Sequence, residues 1–111
     1  MLENKNMDYE YIETHFGEFL KIEYLDELGI SAISLARAIN VPVELINNLV
    51  DNKVKLDAET DLKLCKYFNV SEGFFLRIQA RIDTVMAKHK INVDAIVPFN
   101  YSSHTNSHAK A

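Results

Sequence analysis

The chain has 111 residues, 48% of them apolar and 25% charged, a balance that suits one compact soluble domain with room for a tail. No apolar run approaches the ~18 residues that suggest a membrane span. The opening MLENKNMDYEYIET has no apolar core of a secretory signal. A single cysteine, Cys65, excludes an internal disulfide framework and a zinc site of several thiolates, so a reducing cytoplasm is the expected home. The three glycines, Gly17, Gly29 and Gly73, do not cluster, which excludes the common Gly-rich phosphate loops.

The net charge of −4 does not by itself point to a nucleic-acid binder, but it is unevenly spread. Residues 1–28 hold Lys5 and Lys21 against eight Asp and Glu, a net of −6, whereas residues 29–111 hold ten Lys and Arg against eight acids, a net of +2. Binding to a polyanion would therefore be local and confined to residues after Gly29.

Apolar residues recur at spacings of three and four, which predicts helices. The first runs over about 16–28, with Phe19, Leu20, Ile22, Leu25 and Leu28 as its stripe and Gly29 as the left-handed stop. Ser31 caps a second helix carrying Ala32, Leu35, Ala36 and Ile39, and Asn40 ends it. Pro42, at the first helical position, opens a third, with Ile46, Leu49 and Val50 inside and Asp51-Asn52 closing it. Asp57 caps a fourth, whose inner face is marked by Ala58, Leu62, Cys65 and Phe68. Ser71 caps a fifth, carrying Phe74, Phe75, Ile78, Ile82, Val85 and Met86 to about Lys88. Residues 91–99 read as an extended arm or an added strand, and YSSHTNSHAKA as a mobile tail.

Residues 30–55 hold a short helix, a link around Asn40 and a second short helix, the spacing of a helix-turn-helix. Ala36 sits where the two helices cross, and only a small side chain permits close approach there. A set of motifs surrounds it. His15-Phe16-Gly17-Glu18-Phe19-Leu20, Leu28-Gly29-Ile30-Ser31, Leu35-Ala36-Arg37-Ala38, Val41-Pro42, Ile46-Asn47, Asn52-Lys53, Ala58-Glu59-Thr60, Leu64, Phe68, Ser71, Phe74-Phe75-Leu76 and Ile78-Gln79-Ala80 resemble the HigA-type (VapI-like) antitoxins. These belong to the Xre/phage-repressor-like helix-turn-helix proteins, and the resemblance covers about residues 15–86.

The resemblance implies an all-α, five-helix Xre/lambda-repressor-like domain with a C-terminal extension. Its expected layout is a flexible acidic leader over 1–14, a helix-turn-helix domain over 15–90 and an arm with a mobile tail over 91–111. Within the domain, the helix-turn-helix falls at about 31–51 and a dimerising helix at about 71–88. It further implies a homodimer that binds operator DNA to repress its own promoter, and neutralises a HigB-type toxin, a RelE-like ribonuclease that cuts mRNA. No catalysis, cofactor, metal or membrane partner is implied.

By position in the third helix, Val43, Glu44, Asn47 and Asn48 face the DNA groove. The family commonly has Arg near positions 43 and 45, where this chain has Val43 and Leu45. Valine can only touch a thymine methyl, so Asn47 and Asn48, which pair with adenine edges, are the best base readers. Ser31, Arg37, Lys53 and Lys55 are the phosphate candidates. The family's Gln after the capping Ser is Ala32 here.

Ile33, Val43 and Leu45 could together form an apolar patch on the DNA side. That leaves open a second reading, a helix-turn-helix-fold interaction module that neutralises a partner protein while binding DNA weakly or not at all. Ile82, Val85 and Met86 extend the fifth helix's stripe and form the expected dimer interface, unless residues 91–99 cover them. Cys65 reads as a packing thiol, His15 as a cap or an exposed side chain, and His104 and His108 as tail residues rather than metal ligands. The acidic stripe Glu10, Glu13, Glu18, Glu23, Asp26 and Glu27 reads as a solvated face, with a basic toxin as the alternative partner.

Overall fold

The computed structural model describes residues 15–103. The expected leader, residues 1–14, and the pair His104 and His108 lie outside the described residues. Five helices follow one another, and no strand occurs among the described residues.

Helix α1 starts from His15, which is extended and donates its N–H to Glu18 Oε1 at 3.2 Å. It opens as one α-helical turn, Phe16–Phe19, and widens into a π-helical stretch, Leu20–Asp26. It returns to α-helical form at Glu27–Leu28 and closes in a Schellman pattern, in which Ile30 N–H donates to Leu25 O at 2.8 Å, five residues back. Gly29, at φ 68°, ends the helix as expected.

Bonding from i to i+5 turns the side chains out of the 3.6-residue register. Leu20, Tyr24 and Leu25 therefore point inward, while Ile22 and Leu28, expected in the apolar stripe, stand about half exposed. Tyr24 joins an aromatic cluster, 4.9 Å from the Phe68 ring and 5.0 Å from that of Phe75 in edge-on geometry.

Helix α2 is Ala32–Ile39, with Ser31 Oγ accepting from Ser34 N–H at 3.0 Å and Asn40 at φ 61° closing it. Helix α3 is Val43–Val50. Pro42 has ψ 145° and is therefore the N-cap, so the helix begins one residue later than expected. Asn52 at φ 60° stops the chain beyond it. Helix α4 is Ala58–Phe68, capped by Asp57, whose Oδ1 accepts from Thr60 N–H at 2.9 Å. That bond holds the Asp57 carboxyl below its ordinary pKa.

The inner face of α4 is Thr60, Asp61, Leu64 and Cys65; Ala58 and Leu62, expected inside, are exposed. Asp61 explains the rotation. Its carboxyl is 1% exposed and faces the start of helix α5, Phe74–Lys88. Asp61 Oδ2 accepts from Gly73 N–H at 2.8 Å, and Oδ1 accepts from the N–H groups of Phe75 and Leu76, both at 3.1 Å. Cys65 Sγ donates to the same Oδ1 at 3.4 Å, so the thiol is a packed, inward-facing group.

The orphan donors of α5 are thus satisfied from another helix. Ser71, expected as the cap, is not one: the N-cap residue is Gly73, at φ 85°. The Ser71 side chain accepts instead from Arg77 Nη2 at 3.1 Å.

Phe19, Leu20, Leu35, Ile46, Leu49, Leu64, Phe75 and Ile82 fill the centre. Each contributes roughly 1.5–3 kcal/mol through burial. Ile82 is 2% exposed and closed inside the single chain, so of the three expected dimer residues only Val85 and Met86 keep accessible surface.

After α5 the arm forms two single 3-10 turns, Val93–Ala95 and Tyr101–Ser103, not a strand. Its apolar side chains are not buried as a cover for α5; Ile96 is 69% and Val97 86% exposed.

Candidate nucleic-acid interface

The geometry of α3 is fixed from three sides. Ala36, buried at the crossing, lets α2 and α3 approach, and Leu35, Ile39, Ile46 and Leu49 close the seam. At the far end of α3, Gly17 of α1 lies against the chain. A Cβ there would run into the carbonyl oxygens of Leu49 and Val50 and would sit 2.7 Å from Asn52 Oδ1. The missing side chain lets the Gly17 N–H, an orphan of the first turn, donate to Asn52 Oδ1 at 2.7 Å. Asn52 thus has two roles, ending α3 in the left-handed conformation and tying it to α1.

The loop after α3 is held from the third side. Lys53 N–H donates to Asn48 O at 2.8 Å. Leu56 is buried, and its N–H and C=O pair with Gln79 Oε1 at 2.9 Å and Gln79 Nε2 at 3.1 Å. Lys55 Nζ lies 2.9 Å from both carboxyl oxygens of Asp83. Gln79 and Asp83 are one turn apart on α5, so both anchor points sit on a single helix face.

The four expected base readers share one face of α3, at positions i, i+1, i+4 and i+5. Glu44 and Asn47 are exposed, whereas Val43 and Asn48 are half-buried. Ser31 and Arg37 are exposed on α2, and Lys53 and Lys55 on the loop. Lys53 and Arg37 have no ion pair among the described residues; Lys55 has Asp83. Glu44 and Asp51 put negative charge at both ends of α3, so the face is mixed in sign rather than basic.

The expected apolar patch does not form as a unit. Val43 and Leu45 pack partly against the core, and only Ile33 is well exposed, at 55%. On α1, Glu18 and Glu27 are exposed and Asp26 is engaged by Lys21 at 2.9 Å. No group of three or more metal-ligating side chains occurs among the described residues, and no described helix is long and apolar enough to cross a membrane.

No family model matches the chain. Over 87 residues it is 36% identical to virulence-associated protein I of Dichelobacter nodosus, covering 78% of this chain and 81% of that protein. Antitoxin HigA-1 of Vibrio cholerae is 32% identical over 79 residues, 71% of this chain and 74% of that protein. The chain belongs to the HigA-type, VapI-like family of helix-turn-helix antitoxins.

The likeness of this HigA-type antitoxin extends to a solved complex. The crystal structure of PA4674 from Pseudomonas aeruginosa in complex with its operator DNA matches at a TM-score of 0.70 with 30% identity. The match covers 77% of this chain and 95% of that one.

The roles of four residues escaped the sequence reading: Gly17 and Gln79, quoted there within the family motifs, and Asp83 hold the antitoxin's α3 and the loop after it, while Asp61 holds the start of α5. Two left a trace. Asp61 sits four residues before Cys65 on the buried face of α4, and Gln79 interrupts the apolar stripe between Ile78 and Ile82. A polar side chain on a buried face calls for partners.

Proposed function

We propose that this HigA-type antitoxin represses its own promoter as a dimer and neutralises a HigB-type, RelE-like mRNA-cleaving toxin. The operator complex of PA4674, a protein of the same fold at 30% identity, carries the DNA part of the reading. Helix α3 enters the major groove, Asn47 and Asn48 read adenine edges, and Val43 and Glu44 flank them. Ser31, Arg37, Lys53 and Lys55 hold phosphates. Val85 and Met86 on α5 pair two copies so that two α3 helices face successive turns of DNA. The acidic outer face of α1, with Glu18 and Glu27, meets the positive RNA-binding surface that such a toxin must carry.

A second reading is favoured by Ile33, an exposed aliphatic side chain in the first turn of α2. On that reading the face binds protein, and DNA only weakly.

A gel shift on the chain's own promoter, at low and moderate salt, separates the two. The repressor reading expects a salt-sensitive shift that an Asn47→Ala/Asn48→Ala variant weakens at least tenfold, since each bidentate adenine contact contributes about 1–3 kcal/mol. No shift at low salt, with capture of the toxin retained, overturns it in favour of the second reading.

A further inference from the structure

We propose that Asp83 acts as an internal competitor of the operator: it holds Lys55 in the free protein and yields it to a DNA phosphate, thereby setting the affinity and its salt dependence. The inference rests on the repressor reading above.

The two residues belong to different parts of the molecule. Lys55 is on the loop that follows the groove-facing helix, two residues from Lys53, the other phosphate candidate of that loop. Asp83 is on α5, 28 positions away. The next residue, Leu56, is pinned by the paired hydrogen bonds to Gln79. The backbone beneath Lys55 is therefore fixed against α5, while its side chain is 71% exposed and Asp83 is 45% exposed. A fixed base with a long, solvated side chain gives the ammonium two destinations, the Asp83 carboxylate at 2.9 Å or a phosphate on the DNA side of the loop.

An exposed ion pair is weak enough to exchange, yet it subtracts from whatever replaces it. When Lys55 takes a phosphate, an ion pair gained is offset by one lost, and Asp83 is left uncovered near the DNA backbone. Lys53 and Arg37, with no ion pair among the described residues, bear no such subtraction. The expected consequence is a protein that makes one phosphate contact fewer, in salt dependence, than its basic residues suggest.

The test uses the full chain and a fluorescein-labelled duplex of its own promoter, titrated by anisotropy over a range of salt. Wild type, Asp83→Asn, Lys55→Gln and the double variant form a cycle. Asp83→Asn is expected to bind about two- to fivefold more tightly at low salt, the scale of an exposed ion pair. Its plot of log K against log salt should steepen by as much as about 0.9, the slope of one added phosphate contact. In the Lys55→Gln background the change in slope should vanish, and the tightening should shrink to the part that relief of long-range repulsion leaves. Any removed acid raises affinity somewhat through long-range repulsion, but that gain persists without Lys55.

Binding by wild type with no change in slope for Asp83→Asn, or with a gain of the same size in the Lys55→Gln background, overturns the competitor role and leaves the repressor reading intact. No binding by wild type at low salt overturns both. Matching melting curves for the four proteins show that the variants fold alike.

Discussion

Gly17→Ala tests whether α1 and α3 are locked as described. The added Cβ points at the carbonyl oxygens of Leu49 and Val50, backbone atoms that cannot rotate away as a side-chain tip can. Relief requires the helices to separate, and separation stretches the 2.7 Å bond from Gly17 N–H to Asn52 Oδ1. Overpacking of this kind costs ~1–3 kcal/mol. The lost hydrogen bond adds about 0.5–1.5 kcal/mol. Alanine's better helix propensity returns at most about 1 kcal/mol. The balance is a loss of roughly 2 kcal/mol, which for a domain of this size lowers the melting temperature by about 8–16 °C.

Thermal melts by circular dichroism read this directly. Asn52→Gly is the companion variant, because it keeps the left-handed backbone and removes only the acceptor. It should lose about 0.5–1.5 kcal/mol, the hydrogen bond alone. A Gly17→Ala protein as stable as wild type, or more stable, would show that propensity outweighs the contact and that the α1–α3 lock is not there.

Two further outcomes follow from the caps. Asp61→Ala strips three backbone donors of their acceptor and should cost at least ~3 kcal/mol, read as an early loss of helical signal in urea. Asp61→Asn should fall between, since its amide can accept from Phe75 and Leu76 but turns a donor toward the Gly73 N–H. For Asp57, the Thr60 N–H bond lowers the folded-state pKa, so its contribution to stability is present above the ordinary aspartate range and lost as pH falls through the lowered value. Asp57→Ala should therefore be less stable at neutral pH, by about 0.5–2 kcal/mol for a lost cap. In urea titrations the gap to wild type should close at acid pH; a gap unchanged at acid pH would contradict the assignment.

What the sequence made legible was whatever is decided within a turn of the residue itself. Gly29, Asn40 and Asn52 stop helices because of their own backbone freedom, and Ser31 and Asp57 start them through acceptors three residues away. The family motifs added the fold into which those helices assemble. Features whose partners are distant in sequence stayed hidden. The π-helical register of α1, which buries Tyr24 and exposes Ile22, leaves no trace in apolar spacing.

Asp61 displaced Ser71 as the cap of α5 because a buried carboxyl from α4 can take three donors at once. Ile82 read as surplus stripe because spacing along one helix does not show what other elements pack on it; in the fold it is buried within the single chain. On the α3 face the residue types were legible, but their balance of charge was not: Lys55 counts as basic in composition and is half of an ion pair in the fold.

The cap that Asp61 provides also orders how the molecule opens. An N-terminus held by its own side chains can persist as an isolated helix, but that of α5 is held by a residue of α4. When α4 frays, Gly73, Phe75 and Leu76 lose their acceptor together, and α5 loses its starting turn. The two helices should therefore exchange their amide protons as one cooperative unit, at one free energy of opening. The surface that Val85 and Met86 present then exists only while α4 is intact, so a local loosening far from that surface dissolves it.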